Sequence, residues 1–258
     1  LKGYEKHISS QVDLQVVVAT DRNVDELNAR DSALLNCLSF PVKIVSQAQL
    51  EWPEITLFRY EIILQNFELI SGDYILWVDA DMAILNPIDP RVFDDSEGKA
   101  LWFSRHPGFI SSKKSVAYGS SSARLAQLWQ NLKTRLSHRG VLGTWETQKS
   151  SLAFVPWSKR NVYVHGAVWG GTASAVKELC RVLAQRTRKD YLSGCVALWH
   201  DESHLNWYFS TQKNVGLFPP HFSALDTSPV FSSKDAQFGS LDKKVLDEGL
   251  DSVQNGGR

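Results

Sequence analysis

Apolar and polar positions along this chain fall into blocks that switch between a strand-like and a helix-like period. Residues 4–10 read as the end of a helix. Leu14 to Thr20 (LQVVVAT) and Val42 to Val45 are short β-branched runs, as suits buried strands. From Pro53 to Ile70 the residues Phe58, Ile62, Phe67 and Ile70 give a rough apolar face; Pro53 opens that helix and Gly72 ends it. Tyr74 to Val78 is a continuous apolar strand running straight into Asp79-Ala80-Asp81. Pro87 and Pro90 forbid regular structure. Ala100 to Phe103 predicts another strand, leading into His106-Pro107-Gly108-Phe109. The Ser- and Lys-rich stretch 111–122 reads as a loop, and 123–136 as a helix with Leu125, Leu128, Trp129, Leu132 and Leu136 at helical spacing. Phe154-Val155 reads as an edge strand and Val162 to Val164 as a further strand. Gly166 to Gly171 reads as a glycine-rich turn, after which Thr172 caps a helix with Val176, Leu179, Cys180 and Leu183 on one face. A helix opens near Trp199 and runs through Tyr208, and a last strand lies at Val215 to Phe218. Strands and helices alternate, which predicts an α/β sandwich over residues 1–222. Residues 223–258 read as a polar, weakly periodic and mobile tail.

Composition narrows the function classes. The chain has 258 residues and a formal net charge of zero, with no long run of one sign. That argues against a nucleic-acid partner and against a polybasic membrane surface. Cys37, Cys180 and Cys195 lack metal-ligand spacing and are too few for a disulfide framework. No run approaches the roughly 20 apolar residues of a membrane-spanning helix. The sequence opens on Leu1-Lys2-Gly3 without Met, which leaves room for an N-terminal anchor outside it.

The strand that ends on two aspartates carries the first candidate chemistry. Ligands of open α/β sheets bind just beyond the carboxyl ends of the strands. Carboxylates at i and i+2 there can converge on one hard cation, and that cation can hold phosphate oxygens. The plain alternative is a polar turn after a strand. A second cluster is His200-Asp201-Glu202-Ser203-His204. Two histidines four apart on a helix suggest zinc, but the zinc-protease pattern needs Glu directly after the first His, and Asp201 stands there. The alternative is a helix start, with Asp201 capping and Glu202 meeting the dipole. The run His165 to Gly171 lacks dinucleotide-fold and P-loop spacing. Its small residues suit either close approach of a ligand or tight packing.

Taken in order, Asp-x-Asp at 79–81, His-Pro-Gly-Phe at 106–109, the glycine-rich turn and Trp-His-Asp-Glu-Ser-His-Leu-Asn at 199–206 resemble the family 6 glycosyltransferases. That family holds the histo-blood-group A and B transferases and α-1,3-galactosyltransferase. The resemblance runs from about Tyr4 to about Pro220 and is most specific over Trp199 to Asn206. It implies a GT-A type fold, with a mixed, mostly parallel central sheet flanked by helices. It also implies transfer of galactose or GalNAc from a UDP-sugar donor to the 3-hydroxyl of a β-galactoside glycan acceptor, with retention.

By motif, Asp79 and Asp81 match the Mn²⁺ and diphosphate site, and the intact pair favours a metal-dependent enzyme. Arg59, His165, Gly166, Ala167 and Asp201 match donor contacts. His106, Thr144 and Trp199 match acceptor contacts, together with Glu202, which is also the candidate catalytic carboxylate. His165 and Ala167 fall on the positions that choose the donor and are similar to the galactose-using enzyme, so UDP-galactose is expected. The alternatives are UDP-GalNAc on the same scaffold and a sugar-binding relative without catalysis. A eukaryotic member would be anchored in the Golgi, and a bacterial or phage member would be cytoplasmic. The sequence departs from the family in four places. The family's first strand would lie before Leu1. The stretch from Ser112 to Gly140 is longer. The basic tail has only Lys234, Lys243 and Lys244 as counterparts. Val168-Trp169 replaces an aromatic pair.

Overall fold

The computed structural model describes residues 2–8, 12–93, 98–109, 143–219, 222–224 and 236–240. In chain order, helix α1 (Lys2–His7) precedes strand β1 (Val16–Thr20), helix α2 (Val24–Asn36) and strand β2 (Val42–Ser46). Helices α3 (Glu54–Leu57) and α4 (Arg59–Gln65) lead to β3 (Tyr74–Val78), β4 (Met82–Ile84) and β5 (Leu101–Arg105). Strand β6 (Val164–Thr172) runs into the long helix α5 (Ala173–Leu192), then α6 (His200–Thr211) and β7 (Val215–Leu217). Short strands β8 (Ser223–Ala224) and β9 (Phe238–Ser240) come last among the described residues.

The strands form three small sheets in a mixed α/β architecture. β1 and β2 pair in parallel across α2, β3-β6-β5-β7 form a four-stranded sheet, and β4-β9-β8 a three-stranded one. The sequence led us to expect a mostly parallel centre. Instead β6 runs antiparallel to both β3 and β5, and only β5–β7 is parallel. The direction follows from where β6 enters the sheet: it starts at Val164, opposite Arg105 at the end of β5.

Both faces of the four-stranded sheet are covered. On one side Phe103 and Trp169 pack with Tyr60 and Ile63 of α4, Val176, Leu179 and Leu183 of α5, and Leu205 and Phe209 of α6. On the other, Trp102 and Val168 pack with Met82, Ile84, Phe218, Phe222 and Phe238. Burial on both faces is why β3 and β5 read as continuous apolar runs. The α5 boundary is as expected, with the Thr172 hydroxyl accepting the N–H of Ala175 at 3.4 Å.

Other elements differ from expectation. The helix read over Pro53 to Ile70 breaks at Phe58 and ends in a 3₁₀ turn at Phe67–Leu69. There the Asn66 amide competes with the helix ladder by donating to the carbonyl of Ile62 at 2.9 Å. Phe154-Val155 is irregular rather than a strand; Val155 is buried with Trp145 and Tyr163. The glycine-rich stretch Gly166 to Gly171 is no turn, but the body of central strand β6. The polar stretch from 223 contributes two strands to the β4 sheet, with Ala236 and Phe238 fully buried. The loop and helix read over 111–136 lie outside the described residues.

Candidate active site

The site forms where the ends of β3, β6, α4 and α6 meet. Asp79 extends β3 by one residue, its N–H donating to the carbonyl of Ala167 at 2.9 Å. Trp77 lies two residues back on the same face. Its indole N–H donates to Asp79 Oδ1 at 2.7 Å. Arg59 opens α4 and lies over the Trp77 ring, 5.1 Å from its centroid. Its Nη1 is 3.1 Å from Asp79 Oδ1, 3.2 Å from Asp201 Oδ2 and donates to the Gly166 carbonyl at 2.8 Å. The contact with Asp201 is an ion pair that lacks hydrogen-bond alignment. Burial opposes the guanidinium charge, but Asp201 and Asp79 hold its pKa above the ordinary value.

Strand β6 leaves its register at the site. Val164 pairs with Arg105 and Trp169 with Phe103, so a longer stretch of β6 spans a shorter one of β5. Asn206 takes over the broken ladder. Its Oδ1 accepts the N–H of Val164 at 2.8 Å, and its Nδ2 donates to the carbonyls of Val164 and Glu202, both at 2.9 Å. This one buried amide ties the bulge to the first turn of α6, and so to Asp201 and Glu202. The Tyr60 hydroxyl fixes the same turn by donating to the carbonyl of Asp201 at 3.1 Å.

Gly166 is the hub. Its carbonyl receives Arg59, and its N–H donates to Glu202 Oε2 at 2.8 Å. A Cβ there would sit 3.3 Å from Glu202 Cβ and Oε2, tighter than a side chain normally tolerates. Burial pushes both Asp201 and Glu202 up to about 7. Arg59 opposes that rise at Asp201; the Gly166 N–H and the Tyr163 hydroxyl oppose it at Glu202.

Two histidines complete the wall. One ligand atom each from His106, His165 and Glu202 lie within 4.8 Å of one another, a separation that could suit a metal. The His106 tautomer opposes that use. Its Nδ1 accepts the N–H of Gly108 at 3.1 Å, so Nε2 carries the proton and is a donor rather than a ligand. Burial pushes His106 down to about 4 and His165 well below its ordinary value, so both rings are neutral near pH 7. His165 Nδ1 is hydrogen-bonded to the Ser223 hydroxyl at 3.1 Å.

The structure therefore brings together Arg59, Asp79, Asp201, Glu202, Gly166, His106 and His165. Asp81 is half-buried two residues beyond Asp79, and Ala167 is buried in the apolar cluster with Met82 and Val168. The Thr144 carbonyl accepts the Tyr163 hydroxyl at 3.4 Å. Trp199 is half-exposed at the start of α6. His200 and His204 do not converge on a zinc site. His200 meets Trp52 edge-on, while His204 is fully buried with Nε2 3.5 Å from Asp190. Sequence reasoning missed Tyr163, Trp77 and Tyr60, whose polar atoms sit on residues that pass for core. The available signal was spacing, since Trp77 and Tyr163 precede Asp79 and His165 by two, at the end of β3 and just before β6. Among the described residues no helix is long and apolar enough to cross a membrane.

Comparison with known proteins gives a consistent picture. The sequence model of Glycosyltransferase family 6 matches residues 118–233. The histo-blood group ABO system transferase 2 of Rattus norvegicus is 26% identical over 175 residues, 66% of this chain and 43% of that protein. Globoside alpha-1,3-N-acetylgalactosaminyltransferase 1 of Homo sapiens is 27% identical over 203 residues, 77% of this chain and 50% of that protein. Alpha-1,3-galactosyltransferase 2 of Homo sapiens is 36% identical over 78 residues, 30% of this chain and 23% of its own length. The chain spans about half the length of the first two of these relatives.

Proposed function

The chain belongs to glycosyltransferase family 6, and on that premise we propose that it transfers galactose from UDP-galactose to the 3-hydroxyl of a β-galactoside, with retention, on a GT-A type fold. The observation that carries this reading is the continuous path Asp79–Arg59–Gly166–Glu202. It joins the acidic end of β3 to the acidic start of α6 through contacts of 3.1 Å or less. A diphosphate leaving group and an electron-poor sugar carbon need opposite charges a few ångströms apart. This path supplies both signs.

In this reading Asp79 and Asp81 hold a divalent cation, with Mn²⁺ the expected ion. Their hard oxygen donors stand at a sheet edge and fit such an ion, although Asp79 Oδ1 already accepts from Trp77. When bound, the cation neutralises negative charge on the diphosphate oxygens. The remaining work falls to the chain itself. Arg59 orients Asp79 and Asp201 toward the donor sugar. Glu202, aimed by Gly166 and Tyr163, stabilises positive charge at the anomeric carbon on the face away from the leaving group. His106, neutral with its proton on Nε2, donates to an acceptor hydroxyl, and the exposed face of Trp199 stacks on the acceptor ring.

UDP-GalNAc is the second reading, favoured by the similarity to a GalNAc transferase. The similarity of His165 and Ala167 to the galactose-using members supports galactose, while the Ala167 methyl itself packs in the apolar cluster with Met82 and Val168. Two variants test the proposal. Asp81→Asn should abolish metal-dependent transfer, and full activity in chelator would refute the metal assignment. Glu202→Gln should lower turnover by about 10²-fold or more while UDP still binds. An unchanged rate removes Glu202 from the mechanism.

A further inference from the structure

Glu146 is only 4% exposed, yet it lies outside the Arg59 cluster. Its side chain accepts two backbone N–H groups, that of Gln148 on Oε1 at 2.7 Å and that of Leu198 on Oε2 at 2.6 Å. The first bond closes a local turn. The second joins segments 52 positions apart in sequence. A buried carboxylate is a demanding choice for such a link, and its advantage is two strong acceptor oxygens on one rigid plane.

The two joined segments are the ones that carry the acceptor contacts proposed above. Thr144 lies two residues before Glu146, and Trp199 directly follows Leu198. The Glu146 side of the link is stiff. Arg160 donates to the carbonyls of Glu146 at 3.2 Å and Val155 at 3.0 Å, and its guanidinium lies 5.6 Å from the centroid of the buried Trp145 ring. On the other side the buried residues are the small Cys195 and Ala197, while the larger Val196, Leu198 and Trp199 are 41%, 53% and 51% exposed. A loop with so little buried apolar surface takes its position from polar tethers.

We propose that Glu146 is a positioning residue for the acceptor: by gripping the N–H of Leu198 it sets the spacing between Thr144 and Trp199, and so decides which acceptor geometry fits, without touching the sugar. The inference rests on those two residues being acceptor contacts. Glu146→Gln keeps the volume but turns one of the two acceptor oxygens into an NH₂ group, and Glu146→Ala removes both. The test compares the two variants with wild type. It reads amide hydrogen exchange at residues 197–199, the KM for a lactose-type acceptor, donor hydrolysis without acceptor, and the Kd for UDP.

Faster exchange and a roughly tenfold higher acceptor KM are expected, since small misplacements of binding groups carry large penalties. Hydrolysis and UDP affinity should stay within about twofold of wild type. An unchanged acceptor KM overturns the inference, and so does a parallel loss of hydrolysis and UDP binding, which would mark a merely structural role. Failure of the underlying function is distinguishable, because it appears as absence of transfer in wild type itself.

Discussion

Glu202 and Asp201 set the pH behaviour of the site, and the sign can be worked out. Burial raises both acids from the ordinary carboxylate range to about 7. In the ligand-free protein the stability tied to their neutral forms is complete below about pH 4 and is lost as pH rises through about 7. Glu202→Gln is neutral at every pH. It should therefore be more stable than wild type at pH 8 by about 1–3 kcal/mol, read as a higher thermal midpoint, and bring no gain near pH 4. A gain of equal size at both pH values would contradict this. In the proposed mechanism the ionised acid is the active form, so kcat/KM should climb through about pH 7, with apparent values that belong to the coupled pair. Tyr163→Phe removes a hydroxyl that favours ionised Glu202, and should move that limb to higher pH; an unmoved limb would separate Tyr163 from the acid. At this scale the charged residues were legible, because Asp79, Arg59, Asp201 and Glu202 sit in short motifs. Tyr163 and Trp77 were not. Each looks like a strand core residue, and only the fold shows where its one polar atom points.

Strand β6 shows how an element can be misread from its composition. Glycines are usually taken as turn formers, but Gly166, Gly170 and Gly171 have no left-handed φ here. They are needed for closeness: a Cβ on Gly170 would lie 2.4 Å from the Ile75 carbonyl oxygen, and one on Gly171 2.2 Å from that of Ala100. A strand so tightly held on both sides can afford a bulge only if its free backbone groups are satisfied, and Asn206 does that from α6. Asn206→Asp would set an oxygen against the carbonyls of Val164 and Glu202. We expect it to cost about 2–4 kcal/mol, read as a lower urea midpoint with unchanged m-value. A midpoint equal to wild type would mean that the amide is not what ties β6 to α6. The split of the Pro53 to Ile70 helix was illegible for a related reason. Its apolar spacing is helical throughout, and the break leaves Arg59, the residue that reaches the site, at the start of its own helix.

Across the whole molecule, the site depends on segments far apart in the chain. β9 pairs with β4 so that Ser240 lies opposite Met82, next to Asp81, and Ser223 reaches His165. Neither contact was legible in a polar stretch whose apolar residues among those described, Ala224, Ala236 and Phe238, are buried. The α/β class was legible from alternating periods. Strand direction was not, because it follows from where β6 enters the sheet and not from any local pattern. The proposed transfer rests on the similarity to family 6 glycosyltransferases and on the convergence of α4, β3, β6 and α6 on one acidic, arginine-bridged site. The measurement that tests it most directly is incubation of the protein with UDP-galactose and UDP-GalNAc separately, a lactose-type acceptor and Mn²⁺, with the product linkage read by NMR. The account predicts an α-1,3-linked galactosyl product that is lost in chelator. Absence of transfer from either donor, or a β-linked product, would contradict it.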